Sequence, residues 1–159
     1  MLNEKDKEFI QMAIELAQQN VENNNGGPFG CIIVKNNQII GKGANSVTSE
    51  NDPTAHAEVV AIRNACKNLK SFQLEGCSLY TSCEPCPMCL GAIYWARPTK
   101  VVFAATKIDA ASAGFDDDFI YKEINLSYNE RKIPFIQYES DNQILPFEKW
   151  KDKTDKTDY

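Results

Sequence analysis

The sequence predicts an α/β fold built on a mixed sheet of five strands. Three features carry this expectation. A hairpin signal comes early, with Cys31–Lys35 and Gln38–Gly43 flanking the turn Asn36-Asn37. Beyond it, apolar runs of strand length alternate with segments of helical periodicity, so the later strands should be joined by crossovers and run parallel. No internal repeat or linker interrupts the 159 residues, so 1–159 reads as one domain, long enough to bury a core without disulfides.

Each element has its own warrant. Residues 4–22 read as an amphipathic helix, with Phe9, Ala13, Leu16, Asn20, and Ile10, Ile14, Ala17, Val21 at helical spacing, until the Asn/Gly/Pro run 23–28 breaks the pattern. After the hairpin, a helix is expected to start around Asn51-Asp52-Pro53-Thr54, capped by Asp52 or Thr54, with Val59, Ile62, Cys66 and Leu69 as its buried stripe. Cys77–Thr81 reads as a strand. Pro85 and Pro87 open a helix that runs to about Ala96 and stops before Pro98. Lys100–Ala104 reads as a strand, 107–112 and 115–122 as short helices, Ile133–Gln137 as a fifth strand and 143–152 as a final helix.

Composition bounds the function. Six cysteines with only three clustered suggest a reduced, metal-binding protein rather than a disulfide framework, and hence a cytoplasmic address. No signal-peptide pattern opens the chain, and no apolar run reaches the ~18 residues of a membrane span. The formal charge of −5, with no Lys/Arg cluster, disfavours nucleic acid as a partner.

The chemistry concentrates at two places. His56, the only histidine, sits in Thr54-Ala55-His56-Ala57-Glu58; Cys86 and Cys89 sit in Pro85-Cys86-Pro87-Met88-Cys89. One imidazole and two thiolates make three ligands for a zinc ion, which leaves a coordination position open for water. Both groups fall near helix starts, where the helix dipole favours thiolates. Glu58, two residues from His56, can reach that water as a proton carrier. Other readings stand beside this one. Cys-x-x-Cys alone also suits a redox pair or half a structural zinc site. Cys83 as a fourth ligand would close the site, Cys83, Cys86 and Cys89 together could suggest an iron–sulfur cluster, and Glu58 could be an ordinary solvated helix residue.

His56-Ala57-Glu58 followed by Pro85-Cys86-Pro87-Met88-Cys89 resembles the signature of the zinc-dependent nucleobase deaminases. The resemblance implies a cytidine-deaminase-like, three-layer α/β/α arrangement with helices on both sheet faces. It also implies one Zn²⁺ per subunit on His56, Cys86 and Cys89, with Glu58 as the proton shuttle; Cys83 matches no ligand of the family. Further segments narrow the likeness. Gly26–Gly30, Asn45, 51–58, Tyr94–Arg97 and Gly114–Tyr121 together look like the small bacterial guanine deaminases. That resemblance implies hydrolysis of guanine, a small purine base, to xanthine and ammonia. It implies that Phe29, Asn45, Ala57 and Trp95 line the substrate and that Asp117, of the run Asp116-Asp117-Asp118, moves protons. It further implies a homodimer in which the segment 143–159 is exchanged, so that Tyr159 of one subunit covers the other's site. By composition alone the tail 151–158 reads as disordered. The competing expectations are a deaminase of cytosine, guanosine or tRNA adenosine, and a non-catalytic structural zinc module.

Overall fold

The structure, a computed structural model, describes residues 2–159. The chain divides into two compact units, one ending at Asp117 and the other running from Asp118 to Tyr159.

The first unit is a three-layer α/β/α arrangement. Its sheet has strands β1 (Gly30–Lys35), β2 (Gln38–Ala44), β3 (Cys77–Cys83) and β4 (Lys100–Ala105), in the order β2-β1-β3-β4. β1 is antiparallel to both β2 and β3, whereas β3 and β4 are parallel. Asn36 and Asn37 both adopt positive φ (51° and 62°), the backbone of a type I′ turn that suits a two-residue hairpin. α1 (Glu4–Glu22) covers one face, where Phe9, Ala13, Ile32, Val34, Tyr80 and Val102 form a core. α3 (Ala57–Leu69) and α4 (Pro87–Ala96) cover the other, over Cys31, Ile33, Leu74, Cys77 and Leu79. α2 (Val47–Glu50) is a single turn between β2 and α3, and α5 (Lys107–Ser112) follows β4.

The start of α1 is fixed by a reciprocal cap. Asn3 Oδ1 accepts from Asp6 N at 2.8 Å and Asp6 Oδ2 accepts from Asn3 N at 3.1 Å. The buried Asp6 also accepts from Lys100 Nζ (2.5 Å) and Tyr80 Oη (2.7 Å), tying the helix to β4 and β3. Those two donors, Lys100 foremost, hold its carboxyl down at about 2.

α3 departs from the sequence expectation in two ways. It starts at Ala57 with His56 as N-cap, because Asp52 Oδ1 is occupied by Thr54 N and Oγ1 (2.8 and 2.7 Å) in a local turn instead of capping the helix. Its buried stripe is Ala57, Ala61 and Ala65, with Val59, Ile62, Cys66 and Leu69 only half-buried. The reason lies on β2. A methyl at Gly43 would lie 2.2 Å from Ala57 O, and one at Gly41 would lie 2.7 Å from both Ala61 O and the Ala65 methyl. Glycine on the strand and alanine on the helix let the backbones approach closely, so the larger side chains are displaced to the flanks.

The second unit holds α6 (Asp118–Ile124), a 3-10 turn at Tyr128–Glu130 and α7 (Leu145–Asp152). The expected helices at 115–122 and 143–152 are therefore shifted or shortened, the first because Phe115–Asp117 form a loop after the positive-φ Gly114. The expected fifth strand at Ile133–Gln137 is not formed, so the sheet has four strands among the described residues. Pro134 offers no N–H to a ladder, and no strand exists elsewhere in this unit for the segment to pair with. The Arg131 guanidinium stacks over Tyr128 and Phe135, 5.0 and 4.7 Å from the ring centres. No residue from 118 to 159 is buried, while Phe119, Ile133, Ile136, Tyr138 and Phe147 are each more than half exposed. No helix among the described residues is long and apolar enough to cross a membrane.

The close seam between α3 and β2 generates a prediction. Gly43→Ala should cost about 1–3 kcal/mol by overpacking, measured by urea unfolding, because the added methyl meets helix backbone rather than a movable side-chain end.

Candidate active site

Two helix N-termini converge on one point of the first unit. His56 is the N-cap of α3 and Cys86 is the N-cap of α4, and neither spends its side chain on capping. The turn before α3 is held by Ser46 N donating to Ala55 O (3.0 Å) and Ala55 N donating to Asp52 O (3.1 Å). The loop before α4 is held by Glu84, whose N–H donates to Ala105 O (2.8 Å) and whose Oε2 accepts from Lys107 N (3.0 Å). Pro87 at the first helical position presets the backbone of that turn.

His56 Nδ1 lies 3.5 Å from Cys86 Sγ and 3.6 Å from Cys89 Sγ, and the three ligand atoms lie within 4.8 Å of one another. These separations fit a tetrahedral zinc. Bonds of about 2.3 Å to sulfur and about 2.0 Å to nitrogen imply N···S edges of about 3.5 Å. Cys89 is buried, whereas His56 and Cys86 are half-exposed, so the site opens on their side. A hydrogen bond from Cys89 and contact with His56 pull the Cys86 thiol down to about 4. Cys89, beside the Cys86 charge and buried, is pushed up, and the Cys86 contact raises His56. Cys83 stands apart from the three. Its Sγ donates to Thr106 O at 3.6 Å, and burial raises its thiol to about 11.

Glu58, in the first turn of α3, is only 5% exposed. Its Oε1 accepts from Thr81 Oγ1 (3.0 Å) and its Oε2 from Cys89 Sγ (3.4 Å). Burial raises its pKa against the opposing effect of these bonds. It is therefore not a solvated helix residue.

The other expected site residues occupy varied places. Ala57 is fully buried in the α3–β2 seam. Asn45 is buried at the end of β2; its Oδ1 accepts from Gly27 N (3.3 Å) and Val47 N (3.4 Å), and its backbone O accepts from Asn20 Nδ2 (2.9 Å). Phe29 meets Phe115 edge to face, with ring centres 5.0 Å apart. Asp117 is half-buried, while Asp116 and Asp118 are exposed; burial raises Asp117, and the charge on Cys86 adds to the effect. Trp95 is 66% exposed and so lies outside the core of its own chain. Tyr159 ends the second unit, 71% exposed.

Two polar residues of this neighbourhood escaped the sequence reading. Thr81 is a donor to Glu58, and Asn20 ties Gly27 O and Asn45 O together from the end of α1. Thr81 left a faint signal, a polar residue on the inward-facing alternation Cys77, Leu79, Thr81, Cys83 of a buried strand.

Comparison with known proteins agrees with this geometry. Residues 3–105 match the family described as the cytidine and deoxycytidylate deaminase zinc-binding region. The chain is 57% identical over 151 residues to a guanine deaminase of Bacillus subtilis (strain 168), covering 95% of this chain and 97% of the relative. A solved X-ray structure of guanine deaminase from Bacillus subtilis superposes with a TM-score of 0.95 at 55% identity, covering 99% of each chain. A tRNA-specific adenosine deaminase of Buchnera aphidicola subsp. Schizaphis graminum is 39% identical over 133 residues, covering 84% of this chain and 85% of the relative.

The ligand set yields a direct test by metal analysis. After dialysis, Cys86→Ser should lose bound zinc, whereas Cys83→Ser should keep the same zinc content as the unaltered protein.

Proposed function

The chain belongs to the cytidine and deoxycytidylate deaminase zinc-binding family, and from that premise we propose that it deaminates guanine hydrolytically, giving xanthine and ammonia. The observation that carries the base assignment is the 57% identity to a guanine deaminase, which spans 95% of this chain. The tRNA-specific relative is 39% identical over a shorter stretch, and a chain of formal charge −5 is a poor match for a polyanion.

His56, Cys86 and Cys89 are positioned to hold the zinc. When bound, zinc acts as a Lewis acid that can bring the pKa of a coordinated water down to about 7. Glu58 takes one proton from the attacking water and gives it to the ring nitrogen as the C–O bond forms at C2; it then carries the remaining hydroxyl proton to the amino group, so that the C–N bond breaks, ammonia leaves and the C2 carbonyl of xanthine forms. Its burial beside Cys89 keeps bulk water from competing for that proton. Asn45, with Oδ1 engaged by two backbone N–H groups, keeps its amide N–H₂ as the free edge for an acceptor atom of the base. Phe29, braced by Phe115, offers apolar surface to the ring and Trp95 completes a wall, while Ala57, fully buried in the α3–β2 seam, sets the position of the helix turn beside the base. Asp117, partly buried and sensitive to the charge on Cys86, assists the leaving amine.

The same reading makes the chain a cytoplasmic homodimer that works as one deaminase domain per subunit, with its C-terminal segment exchanged and Tyr159 closing the partner's site. The six free thiols support the compartment. Supporting the exchange, residues 118–159 bury no side chain yet expose a series of large apolar ones, a composition that calls for a covering surface.

Two tests follow. The zinc-loaded protein should release ammonia and xanthine from guanine, and Glu58→Gln should keep its zinc while losing about 10²-fold or more in turnover; turnover of cytosine with none of guanine would overturn the base assignment. For the exchange, Glu58→Gln and a variant lacking Tyr159, each impaired alone, should regain activity when co-expressed, because a mixed dimer assembles one complete site. An absence of rescue in mixed dimers would place Tyr159 in cis.

A further inference from the structure

We propose that Thr81 is a positioning residue that sets which oxygen of Glu58 faces the reacting water. The inference rests on Glu58 being the proton carrier. Thr81 lies in the middle of β3, 1% exposed, where strand alternation turns it toward α3. Its neighbours across the sheet are Cys31 on β1 and Phe103 on β4, so the floor beneath Glu58 is otherwise apolar or thiol. On that floor the Thr81 hydroxyl donates to Glu58 Oε1 at 3.0 Å.

Besides its own backbone N–H, the Glu58 carboxylate has two donors, Thr81 on Oε1 and the Cys89 thiol on Oε2. They do not survive ligation equally. A cysteine that binds metal does so as thiolate and has no proton left to donate. Oε2 is then released from Cys89, while Oε1 stays tethered to a buried strand paired on both sides. The released oxygen is the one nearer the ligand set, so the tether hands Oε2 to the water and keeps the carboxylate from rotating between two roles. A buried hydroxyl with one strong acceptor is well suited to this. Because it donates to the carboxylate without adding charge, it orients the group without pairing it to a cation.

The test compares Thr81→Val, which keeps the shape and loses the donor, with Thr81→Ser, which keeps the donor. With guanine as substrate, Thr81→Val should lower kcat about 10–100-fold through misplacement of the proton carrier, with KM, zinc content and melting temperature near the unaltered values. Thr81→Ser should recover most of kcat, and in a Glu58→Gln background Thr81→Val should add no further loss. If Thr81→Val does not fold, Thr81→Ala takes its place in the same comparison. An unchanged kcat for the donor-less variant overturns the proposal. So does an equal loss in the valine and serine variants accompanied by a lowered melting temperature, which marks a packing role. Full turnover by Glu58→Gln alone overturns the proton-carrier reading itself, and that outcome is distinct from an inert Glu58→Gln paired with a fully active Thr81→Val.

Discussion

Everything at the site depends on how closely α3 lies on β2. The seam consists of Gly41 and Gly43 against the backbone and methyl groups of Ala57, Ala61 and Ala65. This contact fixes the height and rotation of the helix, and so fixes the directions of the two residues that flank Ala57. His56, just before the first turn, points to the cysteines, and Glu58, just within it, points down to the sheet. Because Ala57 is locked between them, neither can shift without the other. The functional geometry is therefore a packing geometry first, and rests on atoms that carry no chemistry themselves.

The site has an unusual electrostatic balance for a buried pocket. It gathers two thiols and a carboxylate with one imidazole, an excess of groups that prefer to be negative. Three compensations are visible. The amino ends of α3 and α4 both face the cluster with partial positive charge. Protons are shared within the cluster, Cys89 donating to Glu58 and lowering Cys86. Burial raises Glu58 so that it holds its proton more firmly than an exposed carboxyl does. A divalent cation is the natural completion of such a set.

What could be read from the sequence follows from how local each cause is. The bounds of α1 are legible because the apolar spacing lies within the helix itself and the Asn/Gly/Pro run that ends it follows directly. The hairpin was legible because Asn36-Asn37 is its own turn signal. The grouping of His56, Cys86 and Cys89 is legible because metal-binding residue types at that spacing announce it. The start of α3 is not legible in the spacing because Asp52 and Thr54 satisfy each other, a competition between two local bonds that spacing does not rank. Its buried face is not legible within the helix because the reason for alanine there is glycine on a strand. The absence of a fifth strand is not legible because apolar composition at Ile133–Gln137 looks alike whether or not a neighbour exists to pair with it. Thr81 was hidden for a related reason: threonine is an ordinary strand residue, and only the fold brings it under Glu58.

The placement of the ligands on two different helices has a consequence for how the chain is held together. His56 and Cys86 are 30 positions apart, and no disulfide joins any of the six cysteines. A metal ion bound to both closes that span as a covalent bridge would, restricting the unfolded chain and stitching the entry of α3 to the entry of α4. Metal supply thereby becomes part of the protein's conformational economy: without the ion the chain loses a clamp between these two helix starts as well as a cofactor.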